Sequence, residues 1–118
     1  MTPQQLLTQL YADFNARNTE AVLAQMAPDV EWPASTEGSG YVTGPAEVGA
    51  YWARQWTTLD PHVDPLSFTR DDHGRAVVEV HLVVHDKGGK LLADQVLHHV
   101  YTFNENGLVR RMDIEALP

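Results

Sequence analysis

Apolar residues follow two different rhythms along this chain. In the first half they recur at helical spacing, and from Val63 onward they fall at every second position. Thr2-Pro3-Gln4-Gln5 reads as a helix start: threonine can cap, proline suits the first helical position, and Gln5 closes a capping box. Leu7, Leu10, Tyr11 and Phe14 then form one stripe. Asn18 ends this helix and caps a short second one, with Val22, Leu23 and Met26 on its buried side and Pro28 as its stop. "DVEWP", Asp29 to Pro33, predicts a short strand, held extended at Trp32 by the proline that follows. The composition of "ASTEGSGYVT" predicts a loop. Gly44-Pro45 opens a third helix, on which Val48, Tyr51, Trp52, Gln55 and Trp56 share one broad side.

The alternating region predicts strands near 63–70, 75–86, 91–103 and 108–116, joined by turns at Asp72-His73-Gly74, Lys87-Gly88-Gly89 and Asn104 to Gly107. Helices followed by an antiparallel meander make an α+β fold. In "VLHHVYTF", Val96 to Phe103, two adjacent histidines must point to opposite faces of one strand. Val78, Val80, Leu82 and Val84 form the apolar face of the preceding strand. If the connecting turn holds two residues, odd positions of the next strand share that face. Leu97, His99, Tyr101 and Phe103 then look inward, and Val96, His98, Val100 and Thr102 look out.

The chain has 118 residues, which suits a single domain over 1–118. It has no cysteine, so disulfides, zinc-thiolate sites and thiol nucleophiles are excluded. The amino terminus has no signal-peptide pattern, and no apolar run approaches the ~20 residues of a membrane span. A cytoplasmic location without membrane contact is the expectation. The 16 acidic against 8 basic residues give a net charge of −8, which repels nucleic acid. Six histidines raise the question of a metal. His81 and His85 share a face but lie about 13 Å apart by strand rise, and His98 and His99 diverge, so no metal site is expected.

The order of elements, with "NARNTEAVLAQMAPDVEW", "VTGPAEVGAYW" and "HHVYTFNENGLVRRMDIEA" as local matches, resembles the nuclear transport factor 2-like superfamily, and within it the SnoaL-like and ketosteroid-isomerase-like proteins. The resemblance covers essentially the whole chain. It implies a curved antiparallel sheet wrapped around three N-terminal helices into a cone, with a pocket between them. His99 matches the position where ketosteroid isomerases place the buried acid of their oxyanion hole. The catalytic aspartate of those enzymes matches Ala34, and their oxyanion tyrosine matches Leu10, with Tyr11 next to it. Those departures argue against steroid isomerisation.

The resemblance and the residues together give two functional expectations. One is a cofactor-independent enzyme, isomerase, cyclase or hydrolase-like, acting on an apolar or polyketide-like compound. The other is a non-catalytic ligand-binding or dimeric assembly domain. The catalytic candidates are His99, Glu37 in the loop over the pocket, and Tyr11. The expected lining is Leu10, Phe14, Trp32, Tyr51, Trp52, Trp56, Leu97, His99, Tyr101, Met112 and Ile114. Glu31 alternates away from Trp32, and Asp113 and Glu115 away from Met112 and Ile114, so these carboxylates are expected outside. The outer sheet face mixes Val77, Val83, Val96 and Val100 with His81, His98, Glu79 and Thr102, which suits a homodimer contact.

Overall fold

The computed structural model of the chain describes residues 1–38 and 40–117. Ser39 of the expected loop and Pro118 lie outside the described residues. Helix α1 spans Pro3–Asn15 and starts with the capping box: Gln5 N–H donates to Thr2 Oγ1 (3.1 Å), and Thr2 N–H donates to Gln5 Oε1 (2.8 Å). Its buried stripe is Leu6, Leu7, Leu10, Tyr11 and Phe14. Helix α2 is a single short turn-and-a-half, Thr19–Leu23. Met26, expected on this helix, instead begins strand β1, Met26–Pro33. The strand therefore takes in Pro28. Its pairing is irregular between Met26 and Glu31, so the missing proline N–H falls where no regular ladder needs it.

Ser35–Glu37 forms a 3-10 turn, and Tyr41–Thr43 forms a short strand, β2, where the sequence predicts only loop. Three residues are too few for alternation to register. Helix α3 is Pro45–Gln55. The long strands are β3 (Leu59–Arg70), β4 (Ala76–Asp86), β5 (Leu91–Phe103) and β6 (Val109–Glu115). β3 begins four residues before the expected start and contains Pro61 and Pro65. It tolerates them because it is an edge strand, with a register shift between Pro65 and Ser67.

Among the described residues the strands form one curved six-stranded sheet in the order β2-β1-β6-β5-β4-β3. The four long strands pair antiparallel, as expected; β1 joins β6 in parallel. Side chains of all three helices and of the sheet's inner face merge into one apolar cluster, from Leu7 and Val22 through Trp52 to Val80 and Met112. No described helix is long and apolar enough to cross a membrane.

The β4–β5 register decides which histidine faces that cluster. Val78 stands opposite His99 and Val80 opposite Leu97, so His99 is inside and His98 is not. The parity arises differently from the two-residue turn assumed from the sequence. Asp86 pairs with Lys90 around Lys87, Gly88 and Gly89, three residues rather than two. Gly89 closes that turn at φ +90°, a conformation that favours glycine. His85 then pairs with Leu91 and Val84 with Ala93, so Leu92 is an extra residue that restores the parity. Val100 points outward, as expected, yet is only 2% exposed and lies outside the main apolar cluster.

Candidate functional site

Between the helices and the inner face of the sheet lies a cavity of about 110 Å³. That is far more than the roughly 10–15 Å³ one water requires, and its walls are mostly apolar. β5 contributes His99, which stands beside Val78 on β4 and Ile114 on β6. It is 7% exposed, and it is the one polar residue in the buried class among the described residues.

Two tyrosines satisfy its inner side. Tyr101, two residues along the same face of β5, donates its hydroxyl to Tyr11 Oη (2.8 Å). Tyr11, from α1, lies 2.9 Å from His99 Nδ1. With the Tyr101 proton on the Tyr11 oxygen, the arrangement that gives the Tyr11 proton a partner is donation to Nδ1, which assigns the His99 proton to Nε2. The rings of Tyr11 and His99 also stack, with centroids 5.9 Å apart and planes at 21°. Nε2 has no hydrogen-bond partner among the described residues, yet it is not sealed from solvent.

Burial fixes the charge states. It lowers the His99 pKa from the ordinary 6.5 to about 4, because an imidazolium there would lose its hydration. Burial, reinforced by Tyr101, raises Tyr11 well above the ordinary phenol value, and burial raises Tyr101 likewise. All three groups are neutral at pH 7. The trio is a polarised hydrogen-bond chain that ends in a free N–H donor, not an ion pair.

The remaining wall is aromatic. Trp52 meets Phe14 and Trp32 edge-on, at 5.2 and 5.4 Å between centroids. Their mutual packing leaves ring faces and edges to border the space. A second polar group comes from α3 and the 3-10 turn. Tyr51 Oη accepts from Thr36 N–H (3.1 Å) and shares a hydrogen bond with Thr36 Oγ1 (2.9 Å), while Gln55 Nε2 approaches it at 3.4 Å.

Of the residues expected to line a pocket, Leu10, Phe14, Trp32, Tyr51, Trp52, His99, Met112 and Ile114 border the cavity, and Tyr11 joins them. Three do not. Leu97 and Tyr101 are buried in the cluster without bordering the space, and Trp56 stacks on Trp52 under the Arg17 guanidinium. Glu37 is also outside the lining: Arg54 holds its carboxylate through two bonds of 2.7 and 2.9 Å, which keeps its pKa below the ordinary range. Thr36, Gln55, Leu59 and Pro61 border the cavity without having been singled out. Gln55 was visible on the inner side of its helix; Leu59 and Pro61 were hidden by the prolines that mask the start of β3. Among the described residues, no cluster of three or more histidines and carboxylates could hold a metal.

The family model described as "SnoaL-like domain" matches residues 7–112. Among solved structures, a nuclear transport factor 2-like protein of unknown function from Burkholderia pseudomallei is 27% identical, with 99% of this chain and 92% of that chain covered and a TM-score of 0.82. TerC, co-crystallized with polyporic acid, is also 27% identical, with 98% and 92% covered and a TM-score of 0.82. A Mycobacterium tuberculosis protein in complex with estradiol-17β-hemisuccinate has the same fold at 20% identity, with 97% and 93% covered and a TM-score of 0.82. No curated protein matches the chain.

Proposed function

The chain belongs to the SnoaL-like domain family, and from that premise we propose that it binds a small, neutral, largely apolar ring compound between helices and sheet. The observation that carries this reading is the His99 Nε2–H, unpaired within the described residues at an apolar, aromatic-walled cavity. Such a donor suits a carbonyl or hydroxyl oxygen, while the Trp and Phe walls suit a flat ring. Polyporic acid in the TerC crystals and estradiol-17β-hemisuccinate in the mycobacterial complex are likewise largely apolar ring compounds, although each also carries an acidic group.

Binding is favoured over base catalysis by the ionisation of His99. A ring held at a pKa of about 4 is a poor proton acceptor at neutral pH. The displacement from 6.5 corresponds to about 3 kcal/mol against the imidazolium. No carboxylate is among the described lining residues, and Glu37 is engaged by Arg54. If a reaction is carried out here, His99 polarises a carbonyl as a neutral hydrogen-bond donor, in the manner of an oxyanion hole.

The test is a titration with 2-naphthol, followed by the fluorescence of Trp32 and Trp52 in the cavity wall. Saturable quenching is expected. His99→Leu, which keeps an apolar side chain of similar size, should weaken it by roughly 1–3 kcal/mol. His98→Leu, one residue away on the other face, should leave it unchanged. Loss of binding in His98→Leu with none in His99→Leu would overturn the assignment.

A further inference from the structure

We infer that the compound bound in the cavity is elongated, with an oxygen held at His99 and an apolar extension that runs along β4 to Leu59, Pro61 and Val84. The inference rests on the binding reading above and extends it to the ligand's length and to which of its ends is polar. The sheet residues that border the cavity fall into two groups. His99, Met112 and Ile114 form one. Val78 and Ile114 flank His99 across the ladder, and Met112 pairs with Tyr101, which in turn pairs with Ala76. Leu59, Pro61, Val63, Leu82 and Val84 form the other, with Val63 opposite Leu82 and Pro61 opposite Val84.

The register measures how far apart these groups lie. His99 stands level with Val78 on β4, and Leu82 and Val84 lie four and six residues farther along that strand. At about 3.3 Å per residue, roughly 13 to 20 Å of strand separates the His99 position from the second group. A cavity of about 110 Å³ drawn out over such a length is a slot rather than a chamber.

The two ends differ in chemistry. His99 offers its Nε2–H at one, and every sheet residue of the second group is apolar. Leu59, Leu82 and Val84 are only half-buried although each borders the cavity. Apolar side chains turned toward open space have burial still to gain, and an apolar ligand supplies it. The cavity also borders Ser35, Thr36, Tyr51 and Gln55, none of which lies on β3 or β4; the last three hydrogen-bond among themselves. The apolar end is held in place before any ligand arrives. Asn15, the last residue of α1, donates to Val63 O (2.8 Å) and accepts from Val63 N–H (3.0 Å). Arg17 donates to Pro61 O (2.8 Å) and to Asp60 (2.6 Å). A wall fixed in this way needs little ordering on binding.

Three naphthols test the arrangement by the same fluorescence titration. In 6-butyl-2-naphthol the chain leaves the ring skeleton at the end opposite the hydroxyl, and in 1-butyl-2-naphthol it lies beside the hydroxyl, so the two isomers are equally apolar. The 6-butyl compound should bind roughly tenfold tighter than 2-naphthol, because the chain is buried against the second group. The 1-butyl isomer should gain nothing. Val84→Asn places an amide in the path of the chain and should lower the 6-butyl advantage to about threefold or less. Val84 is outside the apolar cluster that holds the fold, so the variant should remain folded. His99→Leu should weaken 2-naphthol and 6-butyl-2-naphthol by a similar factor and keep their ratio, since it acts at the other end. If 2-naphthol binds but the 6-butyl chain adds nothing, or the 1-butyl isomer gains as much, or the advantage survives Val84→Asn in full, this inference fails and the binding reading stands. If none of the three binds, the binding reading fails and this inference falls with it. Should Val84→Asn not fold, the two isomers on the unaltered chain decide alone.

Discussion

His99 is a titratable ring placed where its charged form is penalised, and that gives the protein a pH dependence that can be measured. Its pKa is about 4 in the folded chain and near its ordinary 6.5 in the unfolded one. Between those values the unfolded chain binds the extra proton, so stability rises with pH through the window. The contribution is fully present above about pH 6.5 and is lost as the pH falls toward 4, at most about 1.4 kcal/mol per unit. Glu37, Asp71 and Asp113 all have lowered pKa values, so their contributions disappear only at the acid end, below the ordinary carboxylate range. Urea unfolding at pH 7, 6 and 5 should therefore show a steeper loss for the native chain than for His99→Gln, whose amide can still accept from Tyr11. Parallel profiles would mean that the ring is solvated in the folded state. Alternation alone says that one of the two histidines faces inward; the choice of His99 needs a turn length as well, and the two-residue turn that supplies it is not the one formed. The Tyr11–Tyr101 chain that hydrogen-bonds it was not legible, because the partners lie 88 and 90 residues apart, a separation no local pattern spans.

At the scale of elements, boundaries marked by capping and glycine chemistry were the legible ones. The Thr2–Gln5 box is formed as the sequence predicts, and Thr2→Ala should cost about 1 kcal/mol of stability by denaturant unfolding, because it leaves an N-terminal amide of α1 without its acceptor. An unchanged midpoint would show that water replaces the hydroxyl without penalty. The alternation in β5 marks its observed bounds, Leu91–Phe103, but its register comes from a longer turn and a bulge rather than a two-residue turn. A three-residue turn would have put His98 inside, and the extra Leu92 reverses the parity. A bulge of this kind leaves little trace in a strand such as "LLADQVLHHVYTF", where Leu91 and Leu92 are both exposed. The parallel union of β1 with β6 was equally unreadable. It joins segments some 80 residues apart, and propensity speaks only to neighbours along the chain.

For the whole molecule, the face turned away from the cavity is where a second copy would dock. Each copy carries a charge of −8, so two copies repel, and only local surface chemistry can overcome this. The outer face of β4 and β5 supplies it. His81 Nε2 lies 2.7 Å from Asp94 and His98 Nε2 3.5 Å from Glu79, so the carboxylates there are engaged within the chain. Between them Val96 is 39% exposed, and Val77 and Val83 are half-buried. A two-fold contact on this face would bury valine against valine while the paired charges ring it. We therefore expect a homodimer by light scattering at high micromolar concentration, strengthened by added salt as repulsion between the acidic copies is screened. Val96→Lys should give a monomer, because a lysine at the contact must lose its hydration without a partner. Its thermal stability at a concentration where the native chain is also monomeric should be unchanged, since Val96 lies outside the apolar cluster that holds the fold. A native chain that scatters as a monomer at every salt concentration, or a Val96→Lys variant that keeps the dimer mass, would leave this face without the role its valines suggest.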